Sequence, residues 1–280
     1  MIKYCFLFAT ILMSTCCYSQ EFVKIDAAVK EFYYDYTFQQ DSTDHTSEKY
    51  QEMVLQVGEN KSKFTAVNKL YTDSLLFTVK DMDPNAGFLK IWPQLQALRI
   101  HKFCTYNIYK NYPQKKNVRF VGDLGSKKTL MVDEEININW KIETQKDTTI
   151  SGYSCQMATC NFAGRDYIAW YTMEIPVSDG PYKFHGLPGL IVRISDMKNQ
   201  HIFQMYKVKN CDTSKDMLFV AENNIQETTA PKFAKAMKAH IADMYRKYGG
   251  SASPIQYKSP EQESKVLRNI RSRNNYIERY

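Results

Sequence analysis

Apolar and polar positions along this chain recur mostly with the period of a pleated strand. Residues 32–38 are dense in the aromatic residues that suit a pleated surface, and the pattern resumes over residues 50–57 after a polar stretch. Residues 58–62 read as a turn, and residues 63–67 as the returning strand of a hairpin. Residues 106–109 and 118–121 continue the series. The sharpest alternation spans residues 136–143. There Ile136, Ile138, Trp140 and Ile142 fall on one face and Asn137, Asn139, Lys141 and Glu143 on the other, predicting a half-buried antiparallel strand. Residues 153–162 and 167–172 form a hairpin about Ala163-Gly164-Arg165-Asp166. Residues 190–194 and 201–208 form another, closed by residues 195–200.

Helical spacing is clear in one place. Phe233, Met237, Ile241, Met244 and Tyr248 make an apolar stripe, Thr229 stands at the N-cap, Pro231 in the first turn and Gly249-Gly250 at the end. We expect this closing helix, residues 231–248, to cover the sheet. Residues 68–100 are less regular, with one short helix expected near residues 74–77 or 95–100 and residues 82–87 as a loop. Beyond Pro260 the apolar teeth are Val266, Leu267, Ile270 and Ile277, so residues 251–280 read as a basic, loosely ordered or helical tail. No strand–helix alternation of the parallel α/β kind appears. The expected fold is mainly β (α+β). It is a single antiparallel curved sheet or a β-sandwich-like meander, with one long C-terminal helix packed on it and one domain over residues 20–250.

The first residues change the picture of where this fold works. Met1-Ile2-Lys3 is a short basic start, an apolar run follows to Met13, and small or polar residues end at Ser19-Gln20, the pattern of a signal peptide over residues 1–19. The rival reading is a lipoprotein anchored at Cys16 or Cys17, but neither cysteine has a clean small-residue box before it. We therefore expect an exported protein, periplasmic or outer-membrane associated, with no membrane span in the mature chain. The net charge of +7 is modest, and nucleic acid is not an expected partner for an exported chain. Cys104, Cys155, Cys160 and Cys211 would remain after export. An even number in an oxidising compartment leads us to expect one or two disulfides, with all three pairings open.

One stretch resists both periods. Residues 179–191 hold three glycines and two prolines, so no helix runs through them, yet Tyr182, Phe184, Leu187, Leu190 and Ile191 are too apolar for a solvated linker. We read a shaped loop packed on a core and leading into a strand. Its hexapeptide Gly186-Leu187-Pro188-Gly189-Leu190-Ile191, with Asn139-Trp140-Lys141-Ile142, Gly152-Tyr153-Ser154-Cys155 and Phe162-Ala163-Gly164-Arg165-Asp166-Tyr167 upstream, resembles the GLPGLI family, a Porph_ging-type group of exported proteins of Gram-negative bacteria. What the resemblance implies about activity is slight, an accessory role near outer-membrane transport at most.

Candidate chemistry is sparse. No nucleophile elbow, phosphate-binding loop, His-Glu-x-x-His or Cys-x-x-Cys motif appears, and the five histidines are scattered, so neither a cofactor nor a metal is expected and no catalytic residue is named. Asp133-Glu134-Glu135 reads as a solvated acidic run. The better candidates are aromatic and basic: Arg165 at the hairpin tip, Trp170, and Tyr182, Lys183 and Phe184 in the loop, which together suggest a shallow binding cleft. Gly186, Leu187, Pro188, Gly189, Leu190 and Ile191 are expected to shape the loop, with Gly189 at positive φ in a type II turn. These residues point to a non-enzymatic envelope protein that binds a partner protein or an apolar, lipid-like ligand. The alternative is a periplasmic hydrolase or thiol enzyme using residues near the loop.

Overall fold

The computed structural model describes residues 21–98, 103–125, 128–221, 225–249, 254, 257 and 259–279. The expected signal peptide and the cysteines Cys16 and Cys17 lie outside these. The strands, in chain order, are β1 (Glu21–Gln39), β2 (Glu48–Val57), β3 (Ser62–Ala66), β4 (Asn107–Lys110), β5 (Asn117–Asp123), β6 (Thr129–Glu135), β7 (Lys141–Ile150), β8 (Tyr153–Phe162), β9 (Arg165–Thr172), β10 (Leu190–Asp196), β11 (His201–Ala221) and β12 (Ile225–Thr228). The helices are α1 (Val67–Thr78), α2 (Pro84–Ala97), α3 (Ala230–Tyr248) and α4 (Pro260–Arg271).

All twelve strands join one open sheet in the order β12-β6-β5-β4-β3-β2-β1-β11-β10-β9-β8-β7. Every pairing is antiparallel except β12 with β6. Two local meanders, β2 to β6 and β7 to β10, are therefore sewn together by the long central pair of β1 and β11. That pair has three register shifts, at Lys24/Asp26, Ala28/Lys30 and Tyr33/Tyr34, and such bulges bend a sheet.

The bend is large, as ring contacts show. Strands β5 and β9 are seven places apart, about 34 Å in a flat sheet at about 4.8 Å per strand. Three ring contacts nevertheless bridge them, Phe120 to Tyr182 at 6.4 Å, Tyr182 to Phe184 at 6.2 Å and Phe184 to Tyr167 at 4.7 Å, which together reach about half that distance. Side chains of a flat sheet stand perpendicular to it and cannot close such a gap. The sheet therefore curls around the loop that carries Tyr182 and Phe184, and one apolar cluster, including Phe32, Tyr34, Leu55, Phe64, Tyr167 and Phe203, fills the concave side.

Several expectations need correction. In place of one long C-terminal helix there are two shorter ones, α3 and α4. Helix α4 has its own start signal, since the Ser259 hydroxyl accepts from the Gln262 amide. Its dipole is matched by Glu261 and Glu263 in the first turn and by Arg268 and Arg271 in the last. Residues 82–87 are not a loop throughout, because Asp83 caps α2 by accepting from the Asn85 and Ala86 amides and Pro84 opens the helix. The alternation at residues 136–143 is real as far as Trp140, but residues 136–140 form no ladder, and Ile142, the fourth tooth, is 40% exposed at the start of the edge strand β7. No disulfide joins Cys104, Cys155, Cys160 or Cys211, so the expected bridges do not form here.

Candidate functional site

The loop between β9 and β10 is held by buried ionic groups. The ammonium of Lys110, at the end of β4, pairs with Asp179 and donates to the carbonyl oxygens of Gly180 (2.6 Å) and Phe184 (3.1 Å). Burial pulls the Lys110 pKa down, and the Asp179 carboxylate opposes that pull. Ser62 Oγ donates to the other Asp179 oxygen at 2.5 Å. The loop then folds back over the strand it leads into. The Ile191 amide donates to Asp179 O (3.0 Å), the Leu190 amide donates to Ile175 O (3.1 Å), and the Tyr34 hydroxyl donates to Ile191 O (2.8 Å). Leu190 and Ile191, neighbours on one strand, are thus both fully buried.

The two glycines of the hexapeptide do different work from the one expected. Gly186 has φ +95°, where an L side chain is strained, whereas Gly189 has no positive φ. A Cβ at Gly189 would instead collide with the carbonyl oxygen of Thr172, the residue that pairs with Leu190 across the β9–β10 ladder. The type II turn assigned to Gly189 is therefore corrected: close backbone approach demands that glycine. Leu187 is buried, and Pro188 and Gly186 face outward.

The candidate binding residues separate. Arg165 is buried at the hairpin tip, donating to Asp196 (2.9 Å), Gln200 (3.2 Å), Asn275 (2.5 Å) and the carbonyl oxygen of Tyr276 (2.6 and 3.0 Å). It pins the chain end, which is further held by Tyr167 Oη to Ile277 O and by the Arg279 amide to Ala163 O. Trp170 is half-buried against the core. Phe184 is fully buried, touching Tyr167 and Phe162 by their ring edges. Lys183 is 2% exposed and pairs with Glu134 (2.6 Å) and Glu278 (2.7 Å) while lying over the rings of Phe120 and Tyr182. Glu134 is thus not part of a merely solvated run, and Asp133 takes a two-pronged contact from Arg119.

Tyr182 and Lys183 also border a cavity of about 760 Å³, while Arg165, Trp170 and Phe184 are not among its lining residues. Its roof is the stripe of α3, Phe233, Met237, Ile241 and Met244. Its floor includes Tyr36, Phe38 and Phe120, and one wall is the chain end from Arg273 to Glu278. The stripe therefore only partly closes on the sheet. Phe233 meets Phe120 at 5.1 Å, but the next three stripe residues remain half-buried over open space. The helical spacing of the stripe was legible in the sequence; that it roofs a cavity was not, because the spacing of a face does not tell what it faces.

Polar groups in this region are mostly matched. His201 Nδ1 shares a proton with the Tyr36 hydroxyl at 2.7 Å. Burial, then Arg165 and Arg279, depress the His201 pKa to about 3, so the ring is neutral. Burial also lowers the pKa of His185, helped by Lys110. Burial pushes the thiols of Cys104 and Cys160 up to about 12 and that of Cys155 to about 11. Among the described residues no group of three or more His, Cys, Asp or Glu side chains gathers to hold a metal ion, and no helix is long and apolar enough to cross a membrane.

A solved structure of PNGF-II in its P21 space group is similar in fold, with a TM-score of 0.50 at 15% identity over 76% of this chain and 34% of that one. The C2 form gives 0.48 at 13% identity, over 76% and 33%. The chain spans about a third of the length of PNGF-II, and the likeness is one of fold alone. No curated protein matches. The model of the Porph_ging family, described as a protein of unknown function, matches residues 163–193, which run from the tip of the β8–β9 hairpin through the loop into β10. Over that segment the chain is similar to the Porph_ging family.

Proposed function

We propose that the protein is a non-enzymatic binding protein that takes an apolar ligand into the cavity between the curled sheet and α3, and that it does so after export. The observation that carries this reading is the cavity itself. Its volume of about 760 Å³ lies within the range of small-molecule sites. Its roof carries two methionines, whose unbranched thioether side chains adapt to varied apolar shapes. Against the hydrolase or thiol-enzyme alternative stand the thiols, which burial keeps protonated at neutral pH, and the loop's ionic side chains, which are each held in a structural pair.

The test is saturable binding of the neutral dye Nile red. One dye per chain with blue-shifted emission is expected, and Met237→Glu, which places a carboxylate over the cavity, should abolish it while leaving the far-ultraviolet dichroism intact. Binding that does not saturate, or that survives Met237→Glu, overturns the reading. Export is tested separately by mass spectrometry of the mature N-terminus, with a terminus near Gln20 expected and a diacylated Cys16 or Cys17 contradicting it.

A further inference from the structure

Resting on that reading, we infer that the ligand is an amphiphile: an apolar chain that lies under α3, with an anionic head held at the wall formed by the chain end. Most charged and polar groups at the cavity already have partners. Lys183 is taken up by Glu134 and Glu278, and Glu278 also accepts from the Tyr182 hydroxyl at 2.9 Å. Asp123 accepts from the Thr129 hydroxyl, and Asn275 and His201 are bound to Arg165, Gln39 and Tyr36. Several lining groups have none, and three of them bear on a ligand's charge: among the described residues, no hydrogen bond or ion pair engages the guanidinium of Arg273, the hydroxyl of Tyr276 or the ring of His240, while the Thr105 hydroxyl and His201 Nε2 are unmatched too. All three can donate, and Arg273 brings a full charge in a planar fork suited to a carboxylate or phosphate. Burial raises the Tyr276 pKa, so its hydroxyl keeps its proton to give. An uncharged apolar ligand would leave these donors unused. An anionic head at the chain end would accept from Arg273 and Tyr276 while its chain lies against Met237, Ile241 and Met244.

Calorimetric titration of the full mature chain with dodecanoate, dodecyl phosphate and 1-dodecanol tests this. We expect one or both anions to bind at least tenfold more tightly than the alcohol, and Arg273→Gln to bring that ratio toward one. Arg273 is exposed, so the variant should fold. Preference for one anion over the other identifies a carboxylate or a phosphate head. Equal binding of anions and alcohol, or a ratio unchanged in Arg273→Gln, overturns the anionic-head inference while leaving the cavity reading in place. Failure of all three compounds to bind overturns the cavity reading as well.

Discussion

Two regions share the concave side of the sheet and use similar residues to opposite ends. In the loop, Lys110, Asp179, Ser62 and Lys183 satisfy one another or the backbone, and Phe184 is closed in on every side. Under α3, an apolar stripe stands half-buried over open space, and the side chains of Arg273, Tyr276 and His240 are among those with no partner within the described residues. A buried charge without a partner is costly, so the loop's full set of pairs marks it as scaffold. Unmatched donors around an apolar space cost little while water reaches them, and they remain available to a ligand. The lesson is that the loop within the segment matched by the family model and the cavity are adjacent but differently employed.

The sharpest way to break this contrast is to truncate one residue in each region. Phe184→Ala should cost about 4 kcal/mol in a urea melt, as large-to-small changes at fully buried sites do, whereas Met237→Ala should cost under about 1 kcal/mol. Equal losses would mean that the roof is as tightly packed as the loop and that the cavity is not an open site. Next in size is Gly189→Ala. Its methyl group meets a backbone oxygen that cannot swing aside, so a loss of about 2–3 kcal/mol is expected from overpacking. A variant as stable as the parent would show that β9 and β10 separate without penalty at that point.

The smallest effect is a slope with pH. His201 has its folded pKa depressed from 6.5 to about 3, so below pH 6.5 the unfolded chain binds a proton that the folded chain refuses. Stability therefore falls as pH drops through that window, by about 1.4 kcal/mol per pH unit for one such group. The facing charges are Arg165 and Arg279, which add to the depression, and Asp196 lies within the same cluster. Measurements between about pH 6 and 5 lie above the usual range of carboxylate titration. There His201→Gln should flatten the slope, leaving the same-signed contribution of His185. An unchanged slope would mean that His201 is charged in the folded protein.

How much of this was legible depended on which physical signal each element left in the chain. Strands β1, β2, β8 and β9 each put alternating or continuous apolar residues on a packed face, and their patterns could be read directly. Helices α1 and α2 could be read only in part, as one short helix near residues 74–77 or 95–100, because few of their side chains are buried; in α2 only Gly87 and Ile91 are. At residues 136–140 the period reported correctly which side chains face the core, but a period does not reveal whether the backbone has a ladder partner. The anchoring of the chain end was hidden for a related reason. Arg165 holds Tyr276, and Tyr167 holds Ile277, through backbone carbonyl oxygens that every residue has. The need for glycine at residue 189 was foreseeable, its cause was not, since a close approach depends on a strand that lies elsewhere.

The central seam of β1 and β11 has a consequence for how the molecule comes to exist. Phe38 pairs with His201 and Glu21 with Ala221, so the middle of the sheet joins residues separated by most of the chain. The meanders on either side can form from neighbouring hairpins, but the seam must wait for a large loop to close, and high contact order of this kind slows folding. Early strands such as β1 and β2 would meanwhile expose unpaired edges, the condition under which chains pair wrongly with one another. In a protein built this way the first strands can pair with each other early, but the far edge of β1 stays open until β11 has been made.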